Sequence, residues 1–132
     1  KPGQHGSTFG GNPVAAAVAI ASLEVVRDEK LAENSEKLGN LFRRELNGYI
    51  RSSKVVNRVR GKGLMNAIII NDTEDSSTAW DICVALKENG LLAKPTHGNI
   101  IRFTPPLVIT EEQIMDCISI ITKTLETFED KF

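Results

Sequence analysis

Apolar residues recur along this chain in two rhythms, one helical and one extended, and the switches between them lay out its elements. Asn12-Pro13 opens a helical segment over 14–26, lined by Ala15, Ala16, Ala17, Ala19 and Ala21. Side chains that small on nearly every face admit another backbone closely, so this helix is expected to be buried at a domain or subunit junction. A second helix, over about 29–49, carries Leu31, Leu38, Leu41, Phe42 and Leu46 as one apolar stripe. Asn47-Gly48 is a plausible stop for it.

The period then falls to two. Residues 55–59 alternate, Arg60-Gly61-Lys62-Gly63 reads as a tight turn, and 64–70 is β-branched and apolar on both faces, the pattern of a central strand. Together they make a hairpin. After a polar loop at 71–77, a helix over 78–89 is expected to bury Trp80, Cys83, Val84 and Leu86 and to stop at Gly90. Residues 91–94 form a short strand, Pro95-Thr96-His97-Gly98 a turn, and 99–104 a second strand closed by Pro105-Pro106. Thr110 and Gln113 make a capping box. The helix behind it carries Ile114, Cys117, Ile118, Ile121 and Leu125 on one face, to about residue 128. The order β-β-α-β-β-α predicts an α+β fold: a mainly antiparallel sheet with helices on one face, preceded by two connecting helices.

Composition narrows the picture. At 132 residues, with 41% hydrophobic and 25% charged, the chain can bury one core and has no signature of disorder. A net charge of −1 gives no electrostatic reason to expect nucleic acid or an anionic membrane as partner, although Arg58, Arg60 and Lys62 cluster locally. Cys83 and Cys117 sit in apolar helical patterns and read as buried free thiols of a reducing compartment. No run approaches a membrane span, and there is no signal-peptide layout. The chain starts at Lys1 rather than Met, already inside a dense loop. It is therefore expected to be a piece of a longer protein whose remainder lies N-terminal.

That loop, Gly3-Gln4-His5-Gly6-Ser7-Thr8-Phe9-Gly10-Gly11-Asn12-Pro13, is the main chemical candidate. Glycines let a backbone approach a ligand, and the following helix directs its N–H groups and positive dipole end at the loop. One reading is an anion cradle, most often for phosphate. The other is a surface turn capped by Asn12 with Pro13 at the first helical position. Arg102 is the second candidate. Set between Ile101 and Phe103, it is either a buried cation that must find a carboxylate or an edge-strand arginine meeting water or a structural ion pair. Lys62 and Lys94 read as solvated lysines rather than reactive amines. His5 and His97 are far apart and no cluster has metal-ligand spacing. Ser7 lacks the nucleophile-elbow frame, and the loop lacks the Lys-Ser/Thr ending of a P-loop. Chemistry alone therefore gives a binding half without a nucleophile or base.

The motif His5-Gly6-Ser7-Thr8-Phe9-Gly10-Gly11-Asn12-Pro13 closely resembles a loop of the pyridoxal-phosphate-dependent aminotransferases that act on ω-amino groups. The likeness continues through Arg60-Gly61-Lys62-Gly63-Leu64, Asn89-Gly90-Leu91-Leu92 and the run from Lys94 to Leu107, covering essentially the whole chain. The stretch Leu92-Ala93-Lys94-Pro95-Thr96-His97-Gly98 tilts it towards the ornithine-using branch over the acetylornithine and 4-aminobutyrate branches. The resemblance implies the C-terminal third of a fold type I enzyme that works as a homodimer with its site at the subunit boundary. Residues 1–52 would supply a cofactor-phosphate loop and connecting helices from the large domain, and 53–132 the C-terminal small domain. Thr8 would reach the phosphate of pyridoxal 5′-phosphate in the partner subunit, with Ser7 beside it. Arg102 would bind the α-carboxylate of glutamate or 2-oxoglutarate and be held by a glutamate in the other half-reaction. The reaction implied moves the δ-amino group of L-ornithine to 2-oxoglutarate, in the mitochondrial matrix or the cytoplasm. The family's cofactor-bearing lysine, its aspartate, its stacking aromatic and its second substrate arginine are expected N-terminal of Lys1, so no catalytic residue is expected in this segment.

Overall fold

The structure, a computed structural model, describes residues 3, 6–7 and 9–132. Helix α1 (Pro13–Asp28) starts where expected: the Asn12 side chain accepts from the backbone N–H of Val14 and Ala15, and Pro13 fills the first helical position. A left-handed residue, Lys30 at φ 51°, separates α1 from α2 (Leu31–Tyr49). The inner stripe of α2 is Leu31, Leu38, Gly39, Phe42 and Leu46. It packs on β1 (Val56–Lys62) and β2 (Met65–Ile70), which form an antiparallel hairpin.

This hairpin is longer than the sequence suggests. Arg60, Gly61 and Lys62 belong to β1, pairing with Ala67, Asn66 and Met65, and the loop shrinks to Gly63-Leu64. Gly63 takes φ 52° at the first loop position, where such two-residue turns favour glycine.

Helix α3 (Thr78–Glu88) buries Ala79, Ile82, Cys83 and Leu86, a stripe at spacings of three and four. Trp80 and Val84 fall on its other flank and stay exposed, at 62% and 43%, against expectation. Strand β3 is Lys94–Thr96, three residues later than the periodicity places it, and its turn moves to 97–99. Pro95 sits inside β3 without harm because β3 is an edge strand, where a missing N–H is tolerated. Strand β4 (Ile100–Phe103) pairs with β3 and β2, so the sheet order is β1-β2-β4-β3, antiparallel throughout. Helix α4 (Glu111–Glu126) carries the expected capping box between Thr110 and Gln113.

Burial alternates along the strands. Asn66, Ile68 and Ile70 of β2 and Ile101 and Phe103 of β4 face the helices, while Met65, Ala67, Ile69, Ile100 and Arg102 face the other way. The core lies between this inner sheet face and α2, α3 and α4, with Phe42 and Phe103 in tilted contact at 5.7 Å. The α+β fold with helices on one face is as expected. Burial of α1 is expected at a domain or subunit junction; within this chain alone none of its residues is buried, and α2 is the helix it packs on.

Candidate functional site

Two features bear on chemistry. At the N-terminal loop, Ser7 Oγ accepts from the backbone N–H of Phe9 at 3.2 Å and of Gly10 at 3.0 Å. The Asn12 N–H closes onto the Phe9 carbonyl at 3.2 Å, and Gly11 takes φ 80°. The N–H groups of Phe9, Gly10, Asn12, Val14 and Ala15 are thus committed inside the loop and its cap. They do not form an open cradle of backbone donors. The Ser7 hydroxyl proton remains available to an anion. Its oxygen accepts twice and donates to nothing among the described residues, and accepted bonds polarise the O–H outwards. A hydroxyl donor on an exposed glycine-rich turn fits a phosphate oxygen. Thr8 and His5 lie outside the described residues.

The second feature is the open face of the sheet. Arg102 is exposed there, not buried, because strand alternation sends it opposite to Ile101 and Phe103. Nor is it on an edge, since β4 is an interior strand. Its cross-strand neighbours are Ala67 on β2 and Lys94 on β3, and Ala67 in turn pairs with Arg60 on β1. The row therefore reads Arg60, Ala67, Arg102, Lys94. Among the described residues none of its three cations makes an ion pair, whereas nearby Lys62 reaches Glu36 at 2.7 Å. A small floor at Ala67 leaves the long arginine side chain unobstructed for a bidentate grip on a carboxylate.

A cavity of about 480 Å³ opens on the helix side of this end of the sheet, lined by Phe42, Phe103, Ile114, Cys117 and Ile121; Lys94 and Arg102 border it, but strand alternation sends their side chains to the opposite face. Cys117 does not make it reactive: burial first, then the nearby Asp116, raises its thiol pKa. Burial pushes Cys83 up to about 11. Both are thiols at neutral pH, so thiolate chemistry is absent from the described residues.

The register that sets the row is anchored from below. Asn66, 2% exposed, accepts from Arg43 Nη1 at 2.7 Å through Oδ1 and donates to the Gly63 carbonyl at 3.1 Å; Arg43 also bonds that carbonyl, at 2.9 Å. The Leu64 N–H donates to Ser35 Oγ. Asn66 next to Ala67 in β2 thus carries the position of the hairpin to the site. Sequence periodicity identifies Arg102 but not Lys94 as its mate. The pairing depends on where the β3–β4 turn falls, which the structure shows through positive φ angles at His97 and Gly98. Among the described residues, the N-terminal loop and Arg102 share no hydrogen bond or ion pair.

Comparison with known proteins agrees with this architecture. The family model for class-III aminotransferases matches residues 1–125. The mitochondrial ornithine aminotransferase of Drosophila melanogaster is 60% identical over 125 residues, 95% of this chain and 28% of that protein. Its Rattus norvegicus counterpart is 56% identical over 128 residues, 97% and 28% of the respective lengths. Among solved structures, an acetylornithine aminotransferase from Elizabethkingia anophelis superposes with a TM-score of 0.91 at 70% identity, covering 97% of this chain and 33% of that one. Plasmodium falciparum ornithine δ-aminotransferase gives 0.90 at 49% identity, covering 100% and 34%. The chain spans little more than a quarter of the length of these curated relatives.

Proposed function

The chain belongs to the class-III aminotransferase family, and from that premise we propose that it is the C-terminal part of an ornithine aminotransferase. The whole enzyme would move the δ-amino group of L-ornithine to 2-oxoglutarate, giving glutamate-5-semialdehyde and glutamate. The observation that carries this reading is Arg102, a guanidinium exposed on the open sheet face whose cross-strand cations, among the described residues, also lack acidic partners. Such a group takes a carboxylate from outside the sheet.

Pyridoxal 5′-phosphate, when bound, supplies the electron sink for the transfer. The residues of this chain bind and orient. The Ser7 hydroxyl, with that of Thr8, donates to the cofactor phosphate across the boundary of a homodimer. Arg102 grips the α-carboxylate of glutamate or 2-oxoglutarate and so fixes which end of the molecule faces the chemistry. Residues 1–52 provide the loop and connecting helices of the large domain, and 53–132 the small domain that presents Arg102. The names of the fly and rat relatives support a mitochondrial location, here read as the matrix, with the cytoplasm as the alternative.

A second reading has its own support: the 70%-identical structure is described as an acetylornithine aminotransferase. The two separate in one assay of the full-length dimer. Under the ornithine reading, kcat/KM for L-ornithine exceeds that for N-acetylornithine and 4-aminobutyrate by at least about tenfold. A preference for N-acetylornithine would overturn it. Arg102→Met should raise KM for 2-oxoglutarate roughly ten- to hundredfold, the scale of a lost charged hydrogen-bond pair at about 1.5–3 kcal/mol.

A further inference from the structure

Lys94 and Arg102 stand directly opposite one another on β3 and β4, both exposed on the open face. Antiparallel partners hold their Cβ atoms about 5 Å apart, and like charges so placed destabilise the sheet. No carboxylate among the described residues relieves them, and a third cation, Arg60, follows across Ala67. The paired positions of this face hold cations, apolar residues and Thr96, but no Asp or Glu. Elsewhere among the described residues, α1 and α4 are capped by side chains, buried polar side-chain atoms have partners, and Lys37 and Lys62 reach acids. A repulsive pair in an otherwise consistent sheet marks a position kept for something other than stability.

We propose that Lys94 is the second cation of the carboxylate site built around Arg102, and that it sets the affinity of this site for the dicarboxylic substrate. The inference rests on the reading of Arg102 given above. The two cations divide the work. The planar fork of Arg102 accepts the carboxylate edge-on and fixes its direction, while the compact ammonium of Lys94 adds attraction without demanding a geometry. The anion in turn removes the repulsion between the two strands, so binding stabilises the β3–β4 pair. Both cations stand on the same open face of the sheet, one on each side of the β3–β4 pairing, with Ala67 next in the row.

The test uses the full-length protein with Lys94→Met, Lys94→Arg and, as a control, Arg58→Met. Arg58 carries the same charge on the same sheet face but pairs with Ile69, outside the row. Binding of glutarate, a dicarboxylate that cannot react, is measured by calorimetry alongside KM for 2-oxoglutarate and for L-ornithine. Lys94→Met should weaken glutarate binding and raise the 2-oxoglutarate KM about tenfold, with kcat and the ornithine KM within twofold. Lys94→Arg should restore most of the loss, and Arg58→Met should change glutarate binding less than twofold. Thermal unfolding midpoints of the unliganded variants verify that each is folded, and Lys94→Met should not lower the midpoint. Unchanged glutarate affinity in Lys94→Met, or an equal loss in Arg58→Met, overturns the proposal. A wild-type enzyme that does not use 2-oxoglutarate overturns instead the functional reading beneath it.

Discussion

At Gly39, helix α2 carries no side chain because the Gly63 carbonyl occupies the place where a Cβ would be. The contact seats the tip of the β1–β2 hairpin directly on the helix backbone, and Arg43 and Asn66 then pin the same carbonyl from the side. Gly39→Ala should destabilise the protein by about 1–3 kcal/mol or more, since backbone rather than a movable side chain must give way. Chemical denaturation of wild type and variant would show it as a lower midpoint. Nothing in the sequence around Gly39 announces this, because a glycine mid-helix reads only as a weak spot. For Arg102 the sequence leaves open a buried cation or an edge-strand arginine meeting water, and the structure has it exposed but on an interior strand. The apolar neighbours Ile101 and Phe103 belong to the face opposite its own.

Element existence and order were readable because apolar spacing alone separates the helices from the strands; strand ends were not. The lengths of β1 and β3 depend on which residues take positive φ, and Gly63, His97 and Gly98 reveal that only once the chain is folded. Likewise Trp80 and Val84 are apolar enough for a core, yet the stripe of α3 chosen by the sheet runs through Ala79, Ile82, Cys83 and Leu86. The start of α3 also makes a prediction about acid. The Asp72 carboxylate accepts from Ser76 Oγ and Thr78 Oγ1, both at 2.6 Å, and from the Thr73 N–H at 2.7 Å. The hydroxyl bonds from Ser76 and Thr78, then that backbone bond, hold its pKa below the usual carboxylate value. A depressed folded pKa gives stability that is present above the unfolded value, near 3.9, and lost as pH falls through the folded one. Asp72→Asn should therefore lower stability at pH 7 and narrow the gap to wild type below about pH 4, read from unfolding midpoints across pH.

At the scale of the molecule, one helix stands apart. Every residue of α1 is exposed, with Val18 at 60%, Ile20 at 59% and Leu23 at 70%. The small, alanine-rich surface expected to meet another backbone is present, but no second element among the described residues meets it. Exposed apolar surface of this kind promotes association. The isolated 132-residue segment should self-associate in a concentration-dependent way, and Val18→Glu with Leu23→Glu should suppress that in sedimentation velocity. The same segment should show no transamination, because it offers binding groups without a reacting amine.

The loop between β2 and α3 has a consequence for engineering. Gly98, at φ 73°, packs so tightly on the Glu74 backbone that no Cβ fits, and Asn99 donates through Nδ2 to the Asp72 carbonyl at 3.0 Å. Its polar, acidic composition makes 71–77 look like an ideal place for an epitope tag or a permuted terminus. In the folded chain it is instead the mould against which the β3–β4 turn is cast. Lengthening it would release that turn and, through β4, loosen the aim of Arg102. Tag insertion within 71–77 should therefore lower the unfolding midpoint and raise the KM for 2-oxoglutarate.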